Sequence, residues 1–218
     1  MLRLEARQQA SVIWRYASPL LALAITCALG SALFMSMGIS PTKGLSMFFW
    51  EPIKSVYALS ELLVKATPLL LIALGLSVCF KSNIWNIGAE GQFVMGAIFA
   101  AGVALTAEVD SHTGYWVWVV LAGMLGGMVW AGITAFLRDT FNANEILVSL
   151  MLVYVSVMFL NYLVYGSWKD PLGYNFPQTK TFDAVTQIPK LIAGTRVNIG
   201  SLLVPIGAAA LWLFMFRT

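Results

Sequence analysis

Apolar residues fill six stretches of this chain, about Tyr16–Gly38, Leu59–Phe80, Ile84–Ala107, Tyr115–Leu137, Glu145–Tyr165 and Asn198–Phe216, and polar residues gather between them. A helix needs ~20 apolar residues to cross a bilayer. Inside hydrocarbon, every backbone N–H and C=O must also find its partner within the protein. The pattern therefore predicts an all-α polytopic bundle of about six transmembrane helices, read as a single membrane domain over residues 1–218. The first run is too long for a signal peptide and no small-x-small cleavage site follows it, so it reads as a retained span. The second is the least clean, with Glu61 and Lys65 in its first turns and Pro68 kinking or starting its apolar part.

Composition agrees. The chain is 59% hydrophobic and 11% charged, against a charged share of about 25% in soluble domains. The net charge of +3 reads through topology, since no basic run with interleaved aromatics points to nucleic acid. Arg3, Arg7 and Arg15 against Glu5 favour a cytoplasmic N-terminus. Counting spans then puts Lys81, Arg138 and Arg217 on the cytoplasmic side and the long loop Gly166–Val197 outside. Most of the other Lys and Arg residues fall outside too, so the orientation rests on the first helix. Cys27 and Cys79 lie in apolar runs and read as packing thiols.

The third run carries the most distinctive chemistry. Asn86-Ile87-Gly88-Ala89-Glu90-Gly91-Gln92 sets a carboxylate, two amides and two glycines at membrane depth. A carboxylate there is costly and turns toward a bundle interior or a water-filled path. Glycines permit close approach and local helix breaks, and broken polar helices are how transporters build sites. Glu90 is thus a candidate gate, coupling or substrate-path residue. A packing role, hydrogen-bonded to Asn86, Gln92 or backbone, stays open beside it. Asn86 and Gln92 suit sugar hydroxyls or nucleobase edges as well as interhelical hydrogen bonds.

Elsewhere, Asn144 fits a helix N-cap and Glu145 the first turn, where the helix dipole favours an acid. Contact with a cytoplasmic partner is the other reading of this pair. Tyr154 and Asn161 are seven apart, hence near one helix face, and either line a path or pack. Gly123 and Gly127 form a small-xxx-small pair for close helix packing. The loop Gly166–Val197 holds Trp168, Tyr174 and Phe176, aromatics of the kind enriched in interfaces. Glu108, Asp110 and His112 alternate like metal ligands but sit on a short polar loop with no further ligand, so no metal site is expected. No GxxxxGK[ST], HExxH or GxSxG signature occurs, and nothing argues for an enzyme or for a cofactor of its own.

The run Asn83-Ile84-Trp85-Asn86-Ile87-Gly88-Ala89-Glu90-Gly91-Gln92 resembles the signature of permease subunits of bacterial ABC importers for nucleosides and simple sugars, relatives of the ribose and branched-chain amino acid permeases. Asn144-Glu145-Ile146-Leu147-Val148-Ser149-Leu150-Met151-Leu152 resembles that group's second signature, and Tyr165-Gly166-Ser167-Trp168-Lys169-Asp170-Pro171 its extracytoplasmic loop. Val153 stands where many of that group have asparagine. The resemblance implies a second permease subunit, cytoplasmic ATPase subunits that consume the ATP, an extracytoplasmic substrate-binding protein and a bacterial inner-membrane setting. It also implies further spans, so that this chain is either the N-terminal part of a longer permease or a divergent member of the group. The rival is an ATP-independent transporter or channel with Glu90 as an ion or proton site.

Overall fold

The computed structural model describes residues 12–107, 114–174 and 176–217. Arg3, Glu5, Arg7, Glu108, Asp110 and His112 lie outside the described residues. Among those described there are seven α-helices: α1 (Val12–Ser36), α2 (Pro41–Phe49), α3 (Val56–Lys81), α4 (Ala89–Leu105), α5 (Tyr115–Phe141), α6 (Glu145–Tyr165) and α7 (Leu203–Arg217). There is no strand among them, only two isolated bridges, Lys169 with Thr179 and Lys190 with Asn198. Each of the six apolar runs contains one helix. α1, α3, α5 and α6 are long and apolar enough to cross a membrane, and α4 and α7 are shorter. The chain is a multi-pass membrane protein.

Two compact units divide within α3, Met1–Leu63 and Val64–Thr218. In the first unit, α1 turns two of its hydroxyls onto its own backbone. Thr26 donates to the Ala22 carbonyl at 2.8 Å and Ser31 to that of Cys27 at 2.7 Å, so neither presents a free hydroxyl to lipid. α2 was not anticipated from the apolar pattern. Ser40 caps it, accepting from the Lys43 N–H at 3.4 Å, and Pro41 opens it, where a missing N–H costs nothing. Gly44 lies flat against the Phe34 ring of α1, since a Cβ there would come within 2.5 Å of the ring.

In the second unit α4 is the central element, packed on α5 along one face and on α6 along another. Both contacts are made backbone to backbone. A Cβ on Gly96 would lie 2.9 Å from the Gly123 carbonyl oxygen of α5, and one on Gly91 would lie 3.0 Å from the Val153 Cα of α6. Without a hydrophobic drive between helices in lipid, such close approach and its van der Waals contact hold them together. The α6 side is completed by Ser149 and Ser156, both fully buried, whose hydroxyls donate to Ile146 and Val153 carbonyls. Met95 and Ile98 of α4 with Leu163 of α6 form the apolar centre, and Trp130, Leu160 and Trp168 pack around it.

α3 enters this unit and closes at Asn83, whose φ of 56° is left-handed, a conformation asparagine tolerates better than most residues. The apolar run resumes at Ile84, but the helix does not. α4 starts only at Ala89, and Ser82–Gly88 runs non-helical between them.

Candidate functional site

The non-helical segment is organised by the Asn86 side chain. Its Oδ1 accepts the Gly88 N–H at 3.0 Å and the Gln92 Nε2 at 3.2 Å, while its Nδ2 donates to Gln92 Oε1 at 3.3 Å. Two carboxamides thus meet edge to edge, and one of them also ties down the residue that precedes α4. Gly88 is buried at the N-cap, and a Cβ there would come within 2.7 Å of the Ser149 Cβ.

The amide pair lines a cavity of about 890 Å³ together with Cys79 of α3 and the joint between α5 and α6. That joint is short because each helix end is capped locally. Asn142 takes the left-handed conformation at φ 52° and its N–H returns to the Leu137 carbonyl. Asn144 accepts from the Ile146 and Leu147 N–H groups at 3.0 and 3.3 Å. Glu145, next in line, approaches Arg138 at 3.8 Å, both side chains partly exposed. Arg138, Asp139, Asn142 and Glu145 all face the cavity. Ile84, Asn86 and Gln92 of one sequence signature and Glu145 of the other therefore line one space. Thr134 and Asp139 were not singled out from sequence, and Arg138 only as a marker of orientation, although Arg138-Asp139 just before the Asn142-to-Asn144 joint was a visible signal.

Glu90 is elsewhere. It occupies the first turn of α4, where the helix dipole favours a carboxylate, but its side chain is exposed. Among the described residues it has no hydrogen-bond or ion-pair partner. Asn86 and Gln92 engage each other instead, so the hydrogen bonds that Glu90 would accept from them on the packing reading are absent. At 100° per residue, positions 90 and 92 point ~160° apart. Gly88 and Gly91 serve the α4–α6 contact. Tyr154 and Asn161 do share a face of α6, with Met158 exposed between them, and that face is away from the cavity.

At the opposite end of α4, the loop after α6 folds into a small hairpin. Asp170 N–H donates to the Gln178 carbonyl at 2.8 Å, and Asp170 Oδ1 accepts the Leu172 N–H at 3.0 Å. Trp168, expected to stand out as a docking aromatic, is turned inward. Its ring lies over Gly102 of α4 and joins the apolar centre. Tyr174 and Phe176 stand exposed at the hairpin tip with Leu172, 85% exposed.

Comparison with known proteins gives a consistent result. The family described as branched-chain amino acid transport system / permease component matches residues 58–218. A glucose ABC transporter permease protein of Haloferax volcanii is 32% identical over 190 residues, covering 87% of this chain and 50% of that protein. A guanosine ABC transporter permease protein of Bacillus subtilis is 26% identical over 146 residues, 67% of this chain and 42% of that one. A nucleoside ABC transporter permease protein of Lactococcus lactis is 25% identical over 207 residues, 92% and 57%. The chain spans about half the length of these curated relatives. No solved structure matches it.

Proposed function

We propose, from the premise that this chain belongs to the family of branched-chain amino acid transport system permease components, that it forms a permease subunit of an ATP-driven importer. The solute is a nucleoside or a simple sugar, moved by alternating access across the plasma membrane, the inner membrane of a bacterium. The partners are a second permease subunit, cytoplasmic ATPase subunits, an extracytoplasmic substrate-binding protein and membrane lipid. The chain needs no cofactor of its own, because ATP is consumed by the ATPase subunit. Ligands that bind the two openings unequally shift the equilibrium between them.

The observation that carries this reading is the convergence of both signatures on the cavity of about 890 Å³, within the range of small-molecule sites. Asn86 and Gln92 offer donors and acceptors to it, and Gly88 and Gly91 hold α4 close enough to α6 to keep them there. Asn144 and Glu145 sit at the end assigned to the cytoplasm and serve contact with a cytoplasmic partner. Tyr154 and Asn161 lie on the exposed face of α6 away from this cavity, where they serve contact with a neighbouring subunit. Tyr174 and Phe176 dock the binding protein, with Trp168 fixing the base of their hairpin. Glu90, exposed and unpartnered among the described residues, gates by charge.

The test is uptake by the full-length protein with its partners. Glu90→Gln is expected to lower uptake at least tenfold while stability stays within ~0.5 kcal/mol, as befits an exposed residue without a partner. Inactivating the ATPase subunit's nucleotide site should abolish accumulation. Accumulation driven by a proton or sodium gradient alone would overturn the ATP-driven reading, and wild-type uptake by Glu90→Gln would remove the charge from the gate.

A further inference from the structure

α4 has three faces, and two are spent on its neighbours. Gly91 meets α6, and Gly96 meets α5. At 100° per residue, the third face carries Glu90, Phe93, Ala97, Ala101 and Ala104. Its first members, Glu90, Phe93 and Ala97, are exposed. Its second half is different, because there residues 179–187 pass over it as a strap.

The strap is a built element. Asp183 Oδ1 accepts the Val185 N–H at 3.3 Å, the Thr186 hydroxyl donates to the Asp183 carbonyl at 2.6 Å, and the short 3₁₀ turn Ala184–Thr186 packs on α5. Between the strap and α4 lies a second, open cavity of about 690 Å³, lined on the α4 side by Ala97, Ala100, Ala101 and Ala104. Leucine or isoleucine at these positions would fill that space, and empty contact surface forfeits dispersion energy. The floor is thus a sheet of methyl groups. The strap side carries the Phe182 ring beside the Thr179 and Thr181 hydroxyls, the Gln187 amide and the Lys180 ammonium.

We propose that this open cavity is the outer receiving site of the import path. It would hold a neutral or anionic hydroxylated ring compound, with one ring face on the α4 alanines and its hydroxyl or carbonyl edge on the strap. Lys180 makes the strap side unfavourable for a cation. The amide-lined cavity at the far end of α4 is then the inner station, and Glu90 stands on the same α4 face as the alanine floor. This assignment rests on the reading of the chain as an importer permease subunit.

The experiment uses the full-length permease with its ATPase and binding protein, and uridine and glucose as probes. Ala101→Trp fills the space and is expected to cut uptake at least tenfold, with membrane insertion and co-purification of the ATPase unchanged. In a second arm, Thr181→Cys is placed with Cys27→Ser and Cys79→Ser and modified by an impermeant thiol reagent. Millimolar uridine or glucose, without the binding protein, is expected to slow that modification at least threefold. Wild-type uptake by Ala101→Trp overturns the site. So does modification indifferent to the solute that the wild-type complex transports. If Ala101→Trp fails to insert, the second arm decides. A wild-type complex that accumulates neither solute overturns the importer reading itself, and the receiving site with it.

Discussion

The Lys81 ammonium donates to the Met215 carbonyl oxygen at 2.7 Å, joining the C-terminal end of α3 to α7 across 134 residues of sequence. Further along the pair, Gly207 leaves room for Leu74, whose Cδ1 would stand 3.2 Å from an added Cβ. A lysine at a helix C-terminus complements the dipole there, and here it also serves a second helix.

Lys81→Met is therefore expected to loosen α7 at this end. A charged hydrogen bond is worth about 1.5–3 kcal/mol when shielded, and exposure of the Lys81 side chain reduces that to roughly 1 kcal/mol. Hydrogen exchange of the α7 amides near Met215, measured in lipid nanodiscs, should quicken about fivefold. Unchanged exchange would count against the tether.

The Asn86–Gln92 pair lends itself to a double-mutant cycle. Removing either amide strands the other partly buried, at a cost of about 1–3 kcal/mol. Removing both relieves that penalty. Asn86→Ala, Gln92→Ala and the double variant should show coupling of about 1 kcal/mol in denaturation of the purified chain. Additive effects would mean that the two side chains do not engage each other.

Glycines separate into those that must be glycine and those that need not. Gly91→Ala sets a methyl 3.0 Å from the Val153 Cα, and Gly96→Ala sets one 2.9 Å from the Gly123 oxygen. Neither neighbour can yield without moving a helix, so each change should destabilise by about 1–3 kcal/mol. Gly132→Ala meets nothing within 4 Å and should stabilise by about 0.5–1 kcal/mol through helix propensity. Thermal melts in detergent give all three, and a reversed order would contradict the packing of α4.

The hairpin after α6 offers a topological test. Tyr174→Cys and Phe176→Cys should react with an impermeant thiol reagent in intact cells, whereas Trp168→Cys should react slowly and lower stability. Labelling of the tip only after the membrane is opened would reverse the assigned orientation and remove the docking surface.

Most of the helices could be read from sequence, because in lipid an apolar run of sufficient length has few alternatives. The caps were legible too, since Asn144 both looks and acts like one. What escaped was short or depended on direction. α2 is only nine residues long and leaves little hydrophobic signal, although Ser40-Pro41 announced its start. The beginning of α4 was placed at Ile84 because Ile84 and Ile87 keep the run apolar, while the Asn86 side chain captures the Gly88 N–H and holds that stretch out of the helix. Spacing along the chain grouped Glu90 with Asn86 and Gln92, yet the turn of the helix separates them. Trp168 was taken for a surface aromatic, and only the small Gly102 beneath it shows why it lies inward.

α4 has 17 residues, about 25 Å of helix, against a hydrocarbon thickness of ~30 Å. The missing length is made up by Ile84–Gly88, whose backbone is not helical and so cannot face lipid tails. Ile84 and Asn86 of that stretch line the amide-lined cavity, a space that water can enter in place of lipid. Any state that squeezes this space dry must supply those peptide groups with new partners, and the nearest supply is another turn on the front of α4. Drying the inner station and lengthening its central helix would then be one event, and the helix would act as a gauge of hydration.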